Sequence, residues 1–147
     1  MAGPDASSAP KPPAAYGGGT LMPYNGIVPT LGTDAYVAPN AVVIGDVVID
    51  DRASVWFNCL LRGDGNYIRV GKETNLQDGT IIHISTRNGP TIIGERVTVG
   101  HGAIIHACTI EDDTMIGIGA IVLDKAVVER GAVVAAGAVV PPGKVVK

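Results

Sequence analysis

The run IEDDTMIGIGAIVLDKAVVERGAVVAAGAVV, residues 110–140, places an aliphatic residue at every sixth position: Ile110, Ile116, Val122, Val128, Val134 and Val140. Small residues recur four places after each of the first five: Thr114, Ala120, Ala126, Ala132 and Ala138. Neither the i, i+3, i+4 stripe of a helix nor the two-residue alternation of an ordinary β-sandwich runs through it. Upstream the spacing returns at Val37, Val43, Ile49, Val55 and Leu61, then Val70, Leu76 and Ile82, then Ile93, Val99 and Ile105, with Ala41, Ala53, Cys59, Thr74, Thr80 and Ala103 in the small slot. A repeat of six is too short for a helical hairpin and fits one flat side of a parallel β-coil. The aliphatic residue points inward, the small one fills the corner, and Gly or Asn takes the strained turn angles. Three such sides predict an all-β triangular prism of about 18 residues per coil.

The rest of the composition agrees. Aromatic residues are 4% of the chain, so the core has to be stacked β-branched side chains. A net charge of −3, without a basic stripe, makes nucleic acid a poor partner. No apolar run reaches the roughly 18 residues of a membrane span. The start of the chain has neither a charged-then-apolar signal nor any Arg, which argues against a signal peptide or a mitochondrial presequence. The two cysteines, Cys59 and Cys108, lie among hydrophobic residues and read as buried thiols, making the cytoplasm the expected location. Residues 1–22, rich in Pro, Ala, Ser and Gly, are expected to be a disordered leader, and residues 23–147 the β-coil domain.

All three histidines, His83, His101 and His106, fall in this apolar region, and none occupies an inward slot. His83 and His101 are separated by one expected coil, which stacks them on one side with His106 on the next. Three imidazoles with an open water position make a catalytic zinc site. One flat-sided prism cannot easily wrap three outward histidines around a single ion, so the spacing implies a metal site between subunits.

The segments LLRGDGNYIRVGKETNLQDGTIIHIS (60–85) and VTVGHGAIIHACTIEDDTMIGIGAIVLDKAVV (97–128) resemble the gamma-class carbonic anhydrase family. The specific part is the joint spacing of Arg62, Asp64, Asn75, Gln77, Asp78 and the histidines. The resemblance implies a left-handed β-helix homotrimer that reversibly hydrates carbon dioxide to bicarbonate. His83 and His106 would come from one subunit and His101 from its neighbour, binding zinc or, in some members, iron or cobalt. It further implies that Gln77 hydrogen-bonds metal-bound solvent, with Asn75 behind it. Arg62 and Asp64 would lie across the subunit interface, the arginine orienting bicarbonate, and Asp78 would steady that interface. A planar guanidinium suits a planar anion.

Two departures from the family pattern stand out. Where the best-studied members carry proton-moving glutamates this chain has Gly65 and Thr86. It also ends at VVPPGKVVK, lacking the family's C-terminal helix with its Asn-Tyr pair, so either the sequence is shortened or one apolar side is left uncovered. Two other classes remain open: a hexapeptide-repeat acyltransferase or thioesterase, which needs one base histidine and a coenzyme A groove, and a non-catalytic trimeric metal-binding scaffold. The EDDT stretch (111–114) reads as an exposed acidic corner, and the STRNGPT loop (85–91) as a lining of the cleft.

Overall fold

The computed structural model describes residues 17–147, and all regular structure among them is β-strand. Residues 1–16, most of the expected leader, lie outside the described residues. The strands run parallel and wind into a left-handed triangular β-helix. Side one stacks β1 (Thr20–Met22), the first half of β4 (Val42–Ile49), the first half of β6 (Leu60–Val70), β8 (Ile81–His83), β11 (Ile104–His106), β14 (Ile121–Val122) and β17 (Val139–Val140). Side two stacks β2 (Thr30–Leu31), the second halves of β4 and β6, β9 (Thr91–Ile93), β12 (Thr109–Ile110), β15 (Val127–Val128) and β18 (Val145–Val146). Side three is a separate sheet of β3 (Tyr36–Val37), β5 (Ser54–Val55), β7 (Asn75–Leu76), β10 (Thr98–Val99), β13 (Met115–Ile116) and β16 (Val133–Val134). Pairing reaches back to Thr20, inside the stretch read as leader, because Leu21 sits in register with Val43 and packs on the core.

The sixfold pattern is the core. Every aliphatic position of the repeat, from Val37 to Val140, is buried, and so is every small slot except Ala138, which is half-buried near the last coil. The slot residues Thr74, Thr80 and Thr114 turn their hydroxyls back onto carbonyls of Gly94, Gln77 and Glu111, so none is left unpaired. At the corner between sides two and three, Arg52, Glu73, Arg96 and Asp113 all take positive φ and pair into a ladder: Arg52 with Glu73, and Arg96 and Arg130 both with Asp113. Asp112 also meets Arg130, so the acidic EDDT corner is neutralised from the coils on either side.

Two irregularities set the positions of the functional residues. The step between coils is 18 residues where the repeat is regular, but 21 and 23 around the histidines and 17 to the coil that follows. The first excess arises because Gly45 pairs with Gly63 while Val47 pairs with Ile68, leaving Asp64 to Tyr67 bulged opposite the single residue Asp46. Gly45 is required there: its φ is 78°, and a Cβ would meet the Gly63 carbonyl oxygen at 2.2 Å. The second excess is a loop after His83 that is closed by a Ser85–Gly89 bridge.

Candidate metal centre

The lengthened coil changes which histidines stack. One coil beyond His83 stands His106, not His101: the two pair in register on side one, with ring centroids 5.2 Å apart. Arg62 lies in register on the other side of His83, so Arg62, His83 and His106 form one outward file. His101 lies instead in the turn between sides three and one, stacked above Asp78 through the Gly102 N–H bond to the Asp78 carbonyl. The expected stacking of His83 under His101 is therefore corrected, since it assumed a regular 18-residue coil where the loop makes the step 23.

Each histidine meets one carboxylate. Asp64, projected by the bulge, accepts from His83 Nε2 at 3.0 Å and from the Arg62 guanidinium. His101 Nδ1 lies 3.1 Å from Asp78 Oδ2. His106 Nδ1 lies 2.5 Å from Asp124 Oδ1, while Asp124 Oδ2 accepts from Asn88 Nδ2 at 2.7 Å. Burial works against charge on Asp64 and Asp124. It is outweighed for Asp64 by hydrogen bonds from His83 and Arg62, and for Asp124 by those from Asn88 and His106, so both pKa values lie below the usual aspartate value. An ionised carboxylate only accepts, so His106 donates from Nδ1, and Nε2 is the ring nitrogen that Asp124 does not engage.

The site residues divide into two groups. Arg62, Asp64, His83 and His106 lie on side one and its far corner. Asn75 and Gln77 lie on side three, with Asp78 and His101 in the turn that follows it. Asn75 donates to Ser54 Oγ at 2.8 Å, and the Gln77 carbonyl caps Thr80. His101 sits in the turn before side one, where Gly102 takes positive φ, and His106 sits at the far end of the side-one strand Ile104–His106. Ligands of one zinc sit ~2.0–2.3 Å from it. On one chain the file and His101 thus lie at different edges of side one, and among the described residues no cluster of three or more His, Cys, Asp or Glu could hold an ion. Two imidazoles of the file, 5.2 Å apart between centroids, are the donor type that suits a borderline metal ion.

The comparisons with known proteins identify the family. The family described as "Bacterial transferase hexapeptide (six repeats)" matches residues 107–142. Gamma carbonic anhydrase 2, mitochondrial, of Arabidopsis thaliana is 51% identical over 118 residues, covering 77% of this chain and 42% of that protein. A carbonic anhydrase of Geobacillus kaustophilus is 41% identical over 111 residues, covering 76% of this chain and 60% of that protein. The solved structure of a hexapeptide transferase family protein from Anaplasma phagocytophilum superposes with a TM-score of 0.83 at 46% identity, over 87% of this chain and 75% of that one. The chain belongs to the gamma-class carbonic anhydrase family. It spans roughly half the length of these two curated relatives, 42% and 60%.

In this gamma-class chain the two glutamate positions read as lost are in contact. A Cβ built on Gly65 would stand 2.5 Å from Thr86 Oγ1, so the bulge and the loop close against each other where longer side chains would have to be housed. Beside them a cleft of about 310 Å3 opens at the bulge, lined by Tyr24, Asn25, Ile27, Asp46, Asp64 and Asn66. Sequence reading missed Asp124 and Thr91. Thr91 is fully buried; its hydroxyl donates to the His83 carbonyl and accepts from the Ala107 N–H, joining the two histidine-bearing coils. Both act across coils, one at a step of 18 residues and the other at 16, which no local motif reveals.

Proposed function

We propose that this protein is a metal-dependent carbonic anhydrase that reversibly hydrates carbon dioxide to bicarbonate, with its metal sites between the subunits of a homotrimer. The observation that carries the reading is the separation of the two histidine groups on opposite edges of side one, each incomplete alone. A second copy laid against side one supplies what the first lacks. That side is suited to contact, since beside the histidine file runs a row of Val42, Leu60, Ile81, Ile104, Ile121 and Val139, all facing outward.

In this reading His83 and His106 hold the ion from one subunit and His101 from the next. Zinc, or iron or cobalt in its place, supplies hydroxide at neutral pH by lowering the pKa of water to about 7, a magnitude taken from carbonic anhydrase chemistry itself. Asp64 anchors the Arg62 guanidinium, which faces solvent with 42% of its side chain exposed and orients the planar bicarbonate at the mouth. Gln77, with Asn75 behind it, orients solvent from the neighbouring subunit, and Asp78 fixes His101. The buried free thiols suit a reducing compartment, the cytoplasm by default, although the Arabidopsis relatives are named as mitochondrial.

Hydration assays by stopped flow, on protein loaded with zinc and with iron(II), test the activity. Turnover abolished by His106→Ala supports the reading. Stoichiometric metal without turnover turns it into a binding scaffold. Acetyl-coenzyme A binding without metal favours acyl transfer, the alternative raised by the hexapeptide transferase family name of the Anaplasma phagocytophilum structure.

A further inference from the structure

We propose that Asp124 is the positioning residue of the metal centre, which presents His106 to the ion through Nε2 and ties the 85–90 loop to that imidazole. The inference rests on the metal-centre reading above and concerns residues that reading does not use. Asp124 lies in the turn after β14, where the Lys125 N–H bonds the Ala107 carbonyl and so sets the turn directly above His106. Both carboxylate oxygens are taken, one by the ligand and one by the loop: His106 Nδ1 at 2.5 Å and Asn88 Nδ2 at 2.7 Å.

At its start the loop packs Thr86 against Gly65 and accepts at the Ser85 carbonyl from Asn66 Nδ2 at 3.5 Å. Asn88 N bonds Ser85 Oγ at 3.1 Å and Ser85 pairs with Gly89, both bonds internal to the loop. The Asn88 amide is thus a link from the tip to the rest of the molecule, and it ends on the carboxylate that orients the histidine. Without that carboxylate the imidazole is free to flip its ring or change tautomer, and a metal must then pay the ordering entropy on binding. A carboxylate is needed rather than an amide, because His106 Nδ1–H and Asn88 Nδ2–H are both donors. Asn in place of Asp124 offers only one acceptor and turns an NH2 group on the other donor.

The test uses the full chain, wild type beside Asp124→Asn and Asn88→Ala, with cobalt(II) affinity from chelator competition and hydrogen–deuterium exchange over residues 85–90. Asp124→Asn should weaken cobalt binding about 10- to 100-fold and speed exchange of the loop. Asn88→Ala should speed exchange alone, with affinity within about threefold of wild type because the His106 bond survives. Cobalt affinity of Asp124→Asn within about twofold of wild type, in a protein with unchanged melting, overturns the role of Asp124. Failure of the wild type to bind cobalt at all instead overturns the metal-centre reading, and this inference with it.

Discussion

His83 and His106 stand in register on adjacent coils, their rings 5.2 Å apart, although 23 residues separate them along the chain. Strand pairing sets that register, and Thr91 adds a bridge whose single hydroxyl bonds the His83 carbonyl on one side and the Ala107 N–H on the other. Thr91→Val keeps the shape and removes both hydroxyl bonds, while the direct bond from the Ala107 N–H to the His83 carbonyl at 3.1 Å remains. It is expected to lower unfolding free energy by about 0.5–1.5 kcal/mol in denaturant titration. Thr98→Val, at a half-buried outward position, should change it by less than ~0.5 kcal/mol. Equal effects at the two sites would show that the Thr91 bridge contributes nothing.

The contact between Gly65 and Thr86 predicts a coupled pair. Gly65→Ala brings a Cβ to within 2.5 Å of Thr86 Oγ1, whereas the Thr86 Cβ lies at 3.5 Å, ordinary contact. In Thr86→Ala background the added methyl should be tolerated. A double-mutant cycle on stability should give a favourable coupling of at least ~0.5 kcal/mol. Strict additivity would mean the bulge and the loop do not touch.

The charged ladder at the corner of sides two and three sets a pH dependence. The Arg96 guanidinium beside Asp113, and Arg52 beside Glu73, hold both carboxyl groups below their usual values of 3.8 and 4.5. A folded-state pKa below the unfolded one contributes stability that is full above the unfolded value and is lost as pH falls through the folded one. Acid unfolding should therefore steepen below about pH 4.5, and Arg96→Ala should flatten that limb at low salt. Because these groups are exposed, added salt should shrink the difference. An identical acid limb in wild type and Arg96→Ala at low salt would show the ladder to be inert.

Both thiols are free and buried, and burial pushes Cys59 up and Cys108 up to about 12. Iodoacetamide at about pH 8 should label neither in the folded protein and both in guanidinium. Rapid labelling of Cys108 without denaturant would place it outside the core.

The fold was legible because its signal is local and redundant. Each of the six-residue repeats carries its own inward aliphatic residue, and burial of Val37, Leu61, Ile105 and Val140 alike follows from a period readable in any short window. Register across the breaks was not legible. The loop after His83 adds residues where a regular repeat would turn a corner, and the count that stacked His83 with His101 passed over it. Arg62 and Asp64 were singled out by the family resemblance, whereas Asp124, embedded in an ordinary VLDK turn, gains its meaning only when the coil brings it over His106. The acidic corner shows the same limit, for its partners Arg96 and Arg130 come from neighbouring coils.

The central claim is that one ion is shared between subunits, and subunit mixing tests it most directly. His101→Ala retains the side-one pair, and the double variant His83→Ala, His106→Ala retains the partner histidine, so each alone should bind no zinc. Co-refolded in equal amounts and freed of loose metal, random trimers should recover about a quarter of the wild-type zinc content, since a site forms only where an intact pair meets an intact His101 on the next subunit. Zinc content in the mixture no higher than in either variant alone, beside a wild type that binds about one ion per subunit, would contradict the shared site.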